Sequence, residues 1–396
     1  MLHQLAQRVA RMDQRLLMVI AALLVTGIVM VLSASFPVAS RSGPNGAPGD
    51  PFQYLKSHLL FALAGLGGCV LAACLPRRAV RALAVPVFLV AAALMVLVFV
   101  PPLGAEPMGG AHRWIRLPLG RFFQPSELAK LSIVLLLAWC ASRAVERGES
   151  LRMTYLCGLG VAALMGGLCV LQRDLGSAVV CLLLTVMMLF LAGVRPEGLA
   201  LPLAGGALGA LALAWQEPYR WQRIIAFLDP EADMDGSTYH VVRMLMALAR
   251  GGLLGTGLGR SPEKWSALPA RHTDSIFCVL GGELGFVGGV AVIAAFVWLA
   301  WRSVRVARSQ SGSFGRLLAT GLGCGIALQA MVNVGVATGS LPCTGLTLPL
   351  ISFGGSSLVI TLVAAGLLFG LSAEEDQEPR RADQPARASS AALRRA

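Results

Sequence analysis

The sequence predicts an all-α polytopic membrane protein, a bundle of about ten transmembrane helices. Three observations support this fold class: 56% of the 396 residues are hydrophobic, only 14% are charged, and the mean hydropathy is +0.70. This composition differs from that of water-soluble globular proteins. The spans must be helices because lipid offers no hydrogen-bond partner to an open backbone. The 45 glycines suit close packing of membrane helices.

Ten apolar segments are long enough to cross a hydrocarbon core of about 30 Å. They lie at about 16–36, 56–75, 83–101, 126–142, 153–171, 176–194, 199–216, 275–301, 316–336 and 355–372. We predict a cytoplasmic N-terminal segment at 1–15, a single ten-span membrane domain at 16–372 and a tail at 373–396. A large extracytoplasmic loop at 217–274 separates spans 7 and 8.

The first span ends near Ser33-Ala-Ser35, which resembles a cleavage site. Its apolar run exceeds the about 7–15 residues of a secretory signal, so we interpret it as an uncleaved anchor. Before it, Leu2, Leu5, Val9 and Met12 recur at helical spacing. Either a short interfacial helix or a disordered basic tail fits that pattern.

An even number of spans puts both termini on one side of the membrane. More than half of the 33 Lys and Arg residues fall in the termini and short loops of that side, which predicts that it is cytoplasmic. The tail beyond Ala373 is rich in Glu, Arg, Ala, Pro and Gln. This composition favours disorder.

The opposite side carries a basic loop at 217–274. Its cations are Arg220, Arg223, Arg243, Arg250, Arg260, Lys264 and Arg271. They could form a solvated surface facing anionic headgroups. Alternatively, they could bind a phosphorylated or pyrophosphorylated lipid, since arginine forks match phosphate oxygens. Within the loop, 241–250 has helical spacing and ends at Gly251-Gly252. The glycine cluster at 255–259 favours a tight turn over a nucleotide site.

Asp274 is the foremost candidate catalytic residue. It stands where the basic loop enters span 8, next to His272 and Arg271. At such a border desolvation raises the pKa of a carboxyl and nearby cations lower it. This combination is typical of a general base.

Further polar residues lie near or inside the spans. Glu127 and Lys130, at i and i+3, share a helix face and form either a local ion pair or part of a substrate site, with Lys130 facing a phosphate. Glu283 would face away from Asp274 on a continuous helix, so it is predicted to anchor another span from within. Asp174 precedes a span and suits helix capping.

The last external segment, 341–357, is too apolar for a free loop and too polar for a span. We interpret it as re-entrant backbone lining a cavity. Its end, Gly354-Gly-Ser356-Ser, offers amides that could hold an anion. Eight of the nine cysteines fall in spans as small apolar residues, and their spacing predicts neither a metal site nor a disulfide framework.

Seven segments, in this order and spacing, carry a family resemblance: Gly110-Ala-His-Arg-Trp-Ile, Gln124-Pro-Ser-Glu-Leu-Ala-Lys, Arg173-Asp-Leu-Gly-Ser, Phe227-Leu-Asp-Pro, Gly251-Gly-Leu-Leu-Gly-Thr-Gly-Leu-Gly, Leu268-Pro-Ala-Arg-His-Thr-Asp and Leu348-Pro-Leu-Ile-Ser-Phe-Gly-Gly-Ser-Ser. From about Met12 to Ser372 the chain resembles the SEDS family of bacterial membrane proteins. Residues 257–261 and 29–35 look like the cell-division branch. Arg271 looks like the elongation branch, which is the second choice.

The resemblance implies a peptidoglycan glycosyltransferase that polymerises lipid II outside the cytoplasmic membrane, at the division septum. Asp274 would be the general base, with inversion at the donor sugar. Lys130, Arg113 and Arg223 would contact the pyrophosphate, and the predicted substrate-binding set is completed by Glu127, His272 and Ser356. A divalent cation, Mg²⁺ or Mn²⁺, could be held with the pyrophosphate, with no organic cofactor. Implied partners are a class B penicillin-binding protein and other divisome membrane proteins, with no nucleic acid.

The chain departs from the family pattern at several positions around Asp274. His-Thr-Asp is followed by Ser275 in place of the usual Phe, and His240 and Arg243 replace common Gln residues. Ala270 and Gly282 stand where Glu is usual. Two other functions compete with catalysis: a lipid II flippase and a non-catalytic divisome scaffold. A flippase predicts paired discontinuous spans with charges near the midplane, whereas the polar residues here concentrate at the outer surface.

Overall fold

The computed structural model describes residues 12–40, 49–101, 103–105, 111–229, 238–266, 268 and 270–374. The predicted helix before the first span, the predicted disorder of the tail beyond Glu374 and parts of three family segments lie outside the described residues. Within them the chain is a helical bundle, as predicted. Its helices are α1 Gln14–Ala39, α2 Gln53–Cys74, α3 Arg77–Leu97, α4 Pro125–Arg147, α5 Arg152–Leu171, α6 Leu175–Leu191, α7 Pro196–Gln216, α8 Pro218–Leu228, α9 Tyr239–Gly251, α10 Ile276–Ser309, α11 Ser313–Ala337 and α12 Gly355–Glu374.

Nine of these helices in the described part of the chain are long and apolar enough to span a membrane. The remaining predicted span, at 176–194, corresponds to α6. This helix has 17 residues, at the lower limit of a spanning helix. Helices α4, α11 and α12 form the buried centre, and the apolar faces of α3, α5 and α7 are largely exposed. That exposure suits a lipid-facing perimeter.

Glycine allows the central helices to approach their neighbours. A Cβ at Gly366 of α12 would lie 2.2 Å from the carbonyl oxygen of Cys69 on α2. A Cβ at Gly27 of α1 would lie 2.3 Å from the carbonyl oxygen of Leu350. Both distances are shorter than any real contact, so these helices pack backbone against backbone.

The loops that the sequence predicts to be extracytoplasmic contain structure that the all-α prediction did not include. Strands β1 (Ile115–Leu117) and β2 (Arg121–Phe123) pair antiparallel between α3 and α4. Arg121 fixes this hairpin to α2: its Nη1 donates to Ser57 Oγ at 2.9 Å, and its guanidinium lies 5.4 Å from the ring centre of Phe61. In the loop at 217–274, α9 confirms the predicted helix at 241–250, and one helical turn follows at Glu263–Ser266.

The second half of the segment between α11 and α12 is buried, with the side chains of Leu346, Leu348, Leu350 and Ile351 almost inaccessible. Its backbone groups find partners on α11: Asn333 Nδ2 donates to the oxygen of Leu346 at 2.6 Å, and Gln329 Nε2 donates to that of Thr347 at 3.2 Å. Irregular backbone is tolerated at membrane depth only where it is enclosed and hydrogen-bonded in this way.

Candidate active site

Asp274 lies in a tight turn that ends at Ser275, immediately before α10. The turn is closed by backbone bonds from Thr273 and Ser275 to the oxygen of Ala270, at 3.0 and 3.2 Å. Ala270 has φ of 46°, a conformation that costs energy for a residue with a Cβ. The carboxylate is therefore placed by a loop turn and does not belong to the helix that follows.

Three successive carbonyl groups of this turn are held by neighbouring elements. The oxygen of His272 accepts from the amide of Phe353 at 2.9 Å, that of Thr273 from Ser352 Oγ at 2.7 Å, and that of Asp274 from Asn333 Nδ2 at 3.1 Å. The backbone of 272–274 is thus fixed to α11 and to the buried segment before α12. A fixed backbone restricts the carboxylate to a small volume, as catalysis requires.

The carboxyl group has the electrostatics expected of a base. Burial raises the pKa of Asp274 from its ordinary value of 3.8 to about 6. The positive charges of Arg223 and Arg113 act in the opposite direction, and Asp174 adds a smaller raising effect to the pKa. A carboxylate that gains proton affinity in this way, yet remains ionised at neutral pH, is suited to accept a proton.

A cavity of about 580 Å³ opens beside this turn. Its polar lining is Arg113, Arg173, Arg223 and Glu217, and its apolar lining comes mainly from α6 and α7. Cys343 and Thr344 belong to its wall, and a Cβ on the next residue, Gly345, would lie 3.5 Å from Asp274 Oδ2. Asp274 is therefore separated from the cavity wall by a single backbone residue, Gly345.

Two of the predicted cations meet at this cavity. Arg223 Nη1 donates to the oxygen of Cys343 at 3.1 Å. Arg113 Nη2 donates to the oxygen of Arg173 at 2.6 Å, and its Nη1 lies 3.9 Å from Asp174 Oδ1. Asp174 caps α6, since its carboxylate accepts from the amide and the hydroxyl of Ser177 at 3.1 and 2.8 Å.

Lys130 and Glu127 do not join the arginine-lined cavity. Lys130 Nζ donates to Glu127 Oε1 at 2.8 Å and to Gln329 Oε1 at 2.7 Å, and all of these groups are buried in the bundle. They line a separate cavity of about 50 Å³, room for one or two water molecules. The ion-pair interpretation describes this geometry, and phosphate contact by Lys130 stays a prediction.

His272 and Ser356 have neighbours that fix the outer loops. The His272 ring lies 4.5 Å from that of Tyr54 and 5.7 Å from that of Phe353. Burial, followed by the charge of Arg271, lowers the pKa of His272 to about 4, so the ring is neutral near pH 7. Ser356 Oγ accepts from the amide of Gln124 at 3.0 Å, which ties α12 to the start of α4.

Glu283 anchors another helix from within, in the manner predicted. Its carboxylate accepts from Ser33 Oγ at 2.7 Å and from Lys264 Nζ at 2.9 Å, and both charged side chains are buried. Lys264 had been grouped with the loop cations facing lipid or substrate. The structure corrects that assignment, because its ammonium group is paired inside the protein.

The condition under which Glu283 would face away from Asp274, a helix continuous from Asp274, is not met. The helix begins at Ile276, and Gly285 has φ of 71°, which breaks α10. The freed oxygens of Gly282 and Glu283 accept from the amides of Thr256 and Gly257, each at 3.0 Å. The predicted tight turn of the glycine cluster therefore docks into the break, and a Cβ at Gly255 would lie 2.1 Å from the oxygen of Glu283.

Sequence reasoning missed a contact between two positions that depart from the family pattern. His240 Nε2 lies 3.0 Å from Ser275 Oγ. Burial, with a smaller contribution from Arg223, lowers the pKa of His240 below its ordinary range. A neutral imidazole thus joins α9 to the residue after Asp274. The signal available in the sequence was that both positions, 35 residues apart, depart from the family pattern.

The cavity lining does not fit a resident metal ion. Among the described residues, no three His, Cys, Asp or Glu side chains converge as a metal-binding group. The charged groups of the cavity are three guanidinium groups and a single carboxylate. Guanidinium groups repel cations and bind oxyanions, so the chemistry of this lining favours a phosphorylated ligand. A divalent cation shared with substrate stays a prediction.

Comparison with known proteins gives consistent results. The family model of the FtsW, RodA and SpoVE cell cycle proteins matches residues 14–377. The chain is 38% identical to a probable peptidoglycan glycosyltransferase FtsW of Trichlorobacter lovleyi, over 92% of this chain and 94% of the relative. It is 39% identical to the protein of that name from Halorhodospira halophila, over 96% and 95%.

Solved structures match over nearly the whole chain. One, described as "Structural coordination of polymerization and crosslinking by a peptidoglycan synthase complex", has a TM-score of 0.73 at 29% identity and covers 93% of this chain and 99% of its own. The rod shape determining protein RodA of Thermus thermophilus has a TM-score of 0.67 at 29% identity, covering 93% and 98%.

Proposed function

We propose that this chain, which belongs to the FtsW, RodA and SpoVE family of cell cycle proteins, is a peptidoglycan glycosyltransferase. It polymerises lipid II at the outer face of the cytoplasmic membrane during septal wall synthesis, with both termini in the cytoplasm. The observation that carries the proposal is the position of Asp274, a partly buried carboxylate beside a cavity lined by three arginines.

The cavity combines the two chemistries that a polyprenyl pyrophosphate requires. Arg113, Arg173 and Arg223 offer planar donors to phosphate oxygens. Val179, Ala210 and Leu211, on α6 and α7, give the same cavity an apolar wall that suits an isoprenoid chain. As the donor's pyrophosphate leaves, negative charge develops on its oxygens, and fixed guanidinium groups stabilise that charge.

Asp274 then acts on the acceptor. Its carboxylate takes the proton of the acceptor sugar's 4-hydroxyl, and that oxygen forms a bond to the donor's anomeric carbon. The bond from that carbon to the pyrophosphate oxygen breaks, undecaprenyl pyrophosphate departs, and the configuration inverts. Bonds to the three carbonyl groups of 272–274 keep the base in place throughout.

A partner with transpeptidase activity completes the proposed assembly. The matching structure is described as coordinating polymerisation and crosslinking. We propose a class B penicillin-binding protein as the equivalent partner here, within a set of divisome membrane proteins. The transport alternative has less support, because the oxygens freed at the break near Gly285 are bound by the loop at 251–257.

The test uses the purified protein with its cognate class B penicillin-binding protein in detergent, supplied with labelled lipid II. Glycan strands on a gel identify polymerisation, since detergent solution has no two compartments between which a flippase could act. Arg113→Ala and Arg223→Ala are expected to weaken strand formation. Lys56→Ala, which removes an exposed cation in the first turn of α2 that is paired with Asp50, serves as the control. An intact wild-type complex that yields no strands would contradict the proposal.

A further inference from the structure

Two cysteines on neighbouring helices touch near one end of the bundle. Cys140 of α4 and Cys157 of α5 have their sulfur atoms 3.0 Å apart. The sequence had assigned both as small apolar residues. We propose that they form an oxidisable dithiol, a modification site that closes to a disulfide by exchange with low-molecular-weight disulfides. This inference does not depend on the proposed glycosyltransferase activity.

The sulfur separation selects disulfide formation over metal binding. Two thiolates on a tetrahedral zinc ion lie about 3.8 Å apart, given Zn–S bonds of about 2.3 Å. The observed 3.0 Å is shorter than that separation. A disulfide bond is about 2.05 Å long, so closure needs the sulfurs to approach by about 1 Å. Helices α4 and α5 form one hairpin, joined by residues 148–151, so this approach requires only a small adjustment between adjacent helices.

The surroundings of the pair give reagents a route to it. Both cysteines are half-buried. Cys140 lies one turn before Arg143, whose guanidinium lies 5.2 Å from the Trp139 ring centre. Arg147 and Glu149, at the end of α4, are exposed. Cys140 therefore lies within two helical turns of the water-exposed end of α4.

A second thiol pair, between α5 and α6, provides an internal comparison. Cys169 of α5 lies beside Cys181 of α6. Both are fully buried. A reagent that must reach a sulfur atom before exchange can occur therefore reacts with Cys140 and Cys157 and leaves the deeper pair reduced.

The reaction balances without a further oxidant. The thiolate of one of the two cysteines attacks a disulfide R–S–S–R, forms a mixed disulfide and releases R–S⁻. The other thiol then loses its proton, its sulfur attacks the first protein sulfur, and the second R–S⁻ leaves. The sum is two protein thiols and one R–S–S–R giving one protein disulfide and two R–SH. The bond links α4 and α5 at this end, while Gln124 Nε2 and Asp174 Oδ2, 3.2 Å apart, link the helix ends at the other.

The test treats the purified full-length protein with glutathione disulfide and analyses its peptides by mass spectrometry. Wild type is expected to lose two thiols accessible to maleimide and to gain a peptide pair joined through Cys140 and Cys157, with a mass lower by two hydrogen atoms. Its thermal midpoint is expected to rise by a few degrees and to return on reduction. Cys140→Ser and Cys157→Ser abolish the joined pair, and Cys169→Ser retains it.

Two results would overturn the inference. One is a wild-type protein that keeps both thiols free after prolonged exposure. The other is glutathione that remains attached to Cys140 or Cys157 without closure to the internal bond. Size-exclusion profiles and thermal midpoints of the reduced variants, expected to match wild type, establish that each substitution leaves the bundle folded.

Discussion

The pH dependence of polymerisation reports directly on Asp274. A base must be deprotonated to act, so kcat/KM falls as pH drops through its pKa. With a pKa of about 6, about half of the carboxyl groups are ionised at pH 6 and about one tenth at pH 5. A carboxyl with the ordinary pKa of 3.8 would still be about nine tenths ionised at pH 5. The account therefore predicts roughly a tenfold loss between pH 7 and pH 5.

Arg223→Gln sharpens this prediction. Arg223 is the largest of the charges that lower the pKa of Asp274. Its removal raises that pKa, and the midpoint of the rate profile moves to higher pH by about 1 unit. Arg243→Gln removes the same charge from the outer loops. Its guanidinium packs 5.0 Å from the ring centre of Tyr239 and is not among the groups that act on Asp274.

The assay follows strand formation from labelled lipid II at subsaturating concentration between pH 5 and pH 8, in the complex with the penicillin-binding protein. Wild type and Arg243→Gln are expected to share one midpoint near pH 6, and Arg223→Gln to show a higher one. A wild-type midpoint near pH 4, or equal midpoints in all three proteins, would refute the assignment of Asp274 as the titrating base.

Three further predictions concern stability and coupling. Glu283→Gln leaves the buried Lys264 ammonium without its carboxylate partner and is expected to lower the free energy of unfolding by about 3–5 kcal/mol, measured by thermal unfolding. Glu283→Leu combined with Lys264→Met is expected to regain most of that stability. Equal thermal midpoints for wild type and Glu283→Gln would contradict a stabilising role of the ion pair. Gly255→Ala forces a Cβ to within 2.1 Å of the oxygen of Glu283 at a φ of 83° and lowers the thermal midpoint, while Gly209→Ala, where a Cβ meets nothing within 4 Å, does not. His240→Ala and Ser275→Ala are expected to couple by about 0.5–1.5 kcal/mol in a double-mutant cycle of stability, and additive effects would show that their contact contributes nothing.

The membrane spans were predictable because an apolar run is a local property of the chain. Lipid imposes a helix on such a run wherever it occurs. Nine of the ten predicted spans therefore appear as long apolar helices of the described chain, and the span predicted at 176–194 appears as the shorter α6. The position of Asp274 was predictable for a related reason, since a carboxylate at the border of an apolar run is visible in the sequence. The two opposing effects on its pKa also followed from that border, whereas the larger effect of burial is seen only in the structure.

Features that depend on distant partners were not predictable. The break at Gly285 lies inside an apolar run. The neighbouring sequence does not indicate that the loop at 251–257 donates hydrogen bonds to the oxygens freed by this break. From the sequence, Lys264 cannot be distinguished from the other cations of its loop. Only the fold shows that it pairs with Glu283. The hairpin of β1 and β2 has three residues in each strand, too few for an alternating pattern to be recognised.

The most direct test of the account is the polymerisation of labelled lipid II by the complex carrying Asp274→Asn. This substitution keeps the size of the side chain and removes its basicity, and the backbone bonds of the turn at 272–274 do not depend on the carboxylate. The account predicts a folded protein that still binds its partner and forms no glycan strands. Strand formation at the wild-type rate would contradict the role of Asp274 as the base.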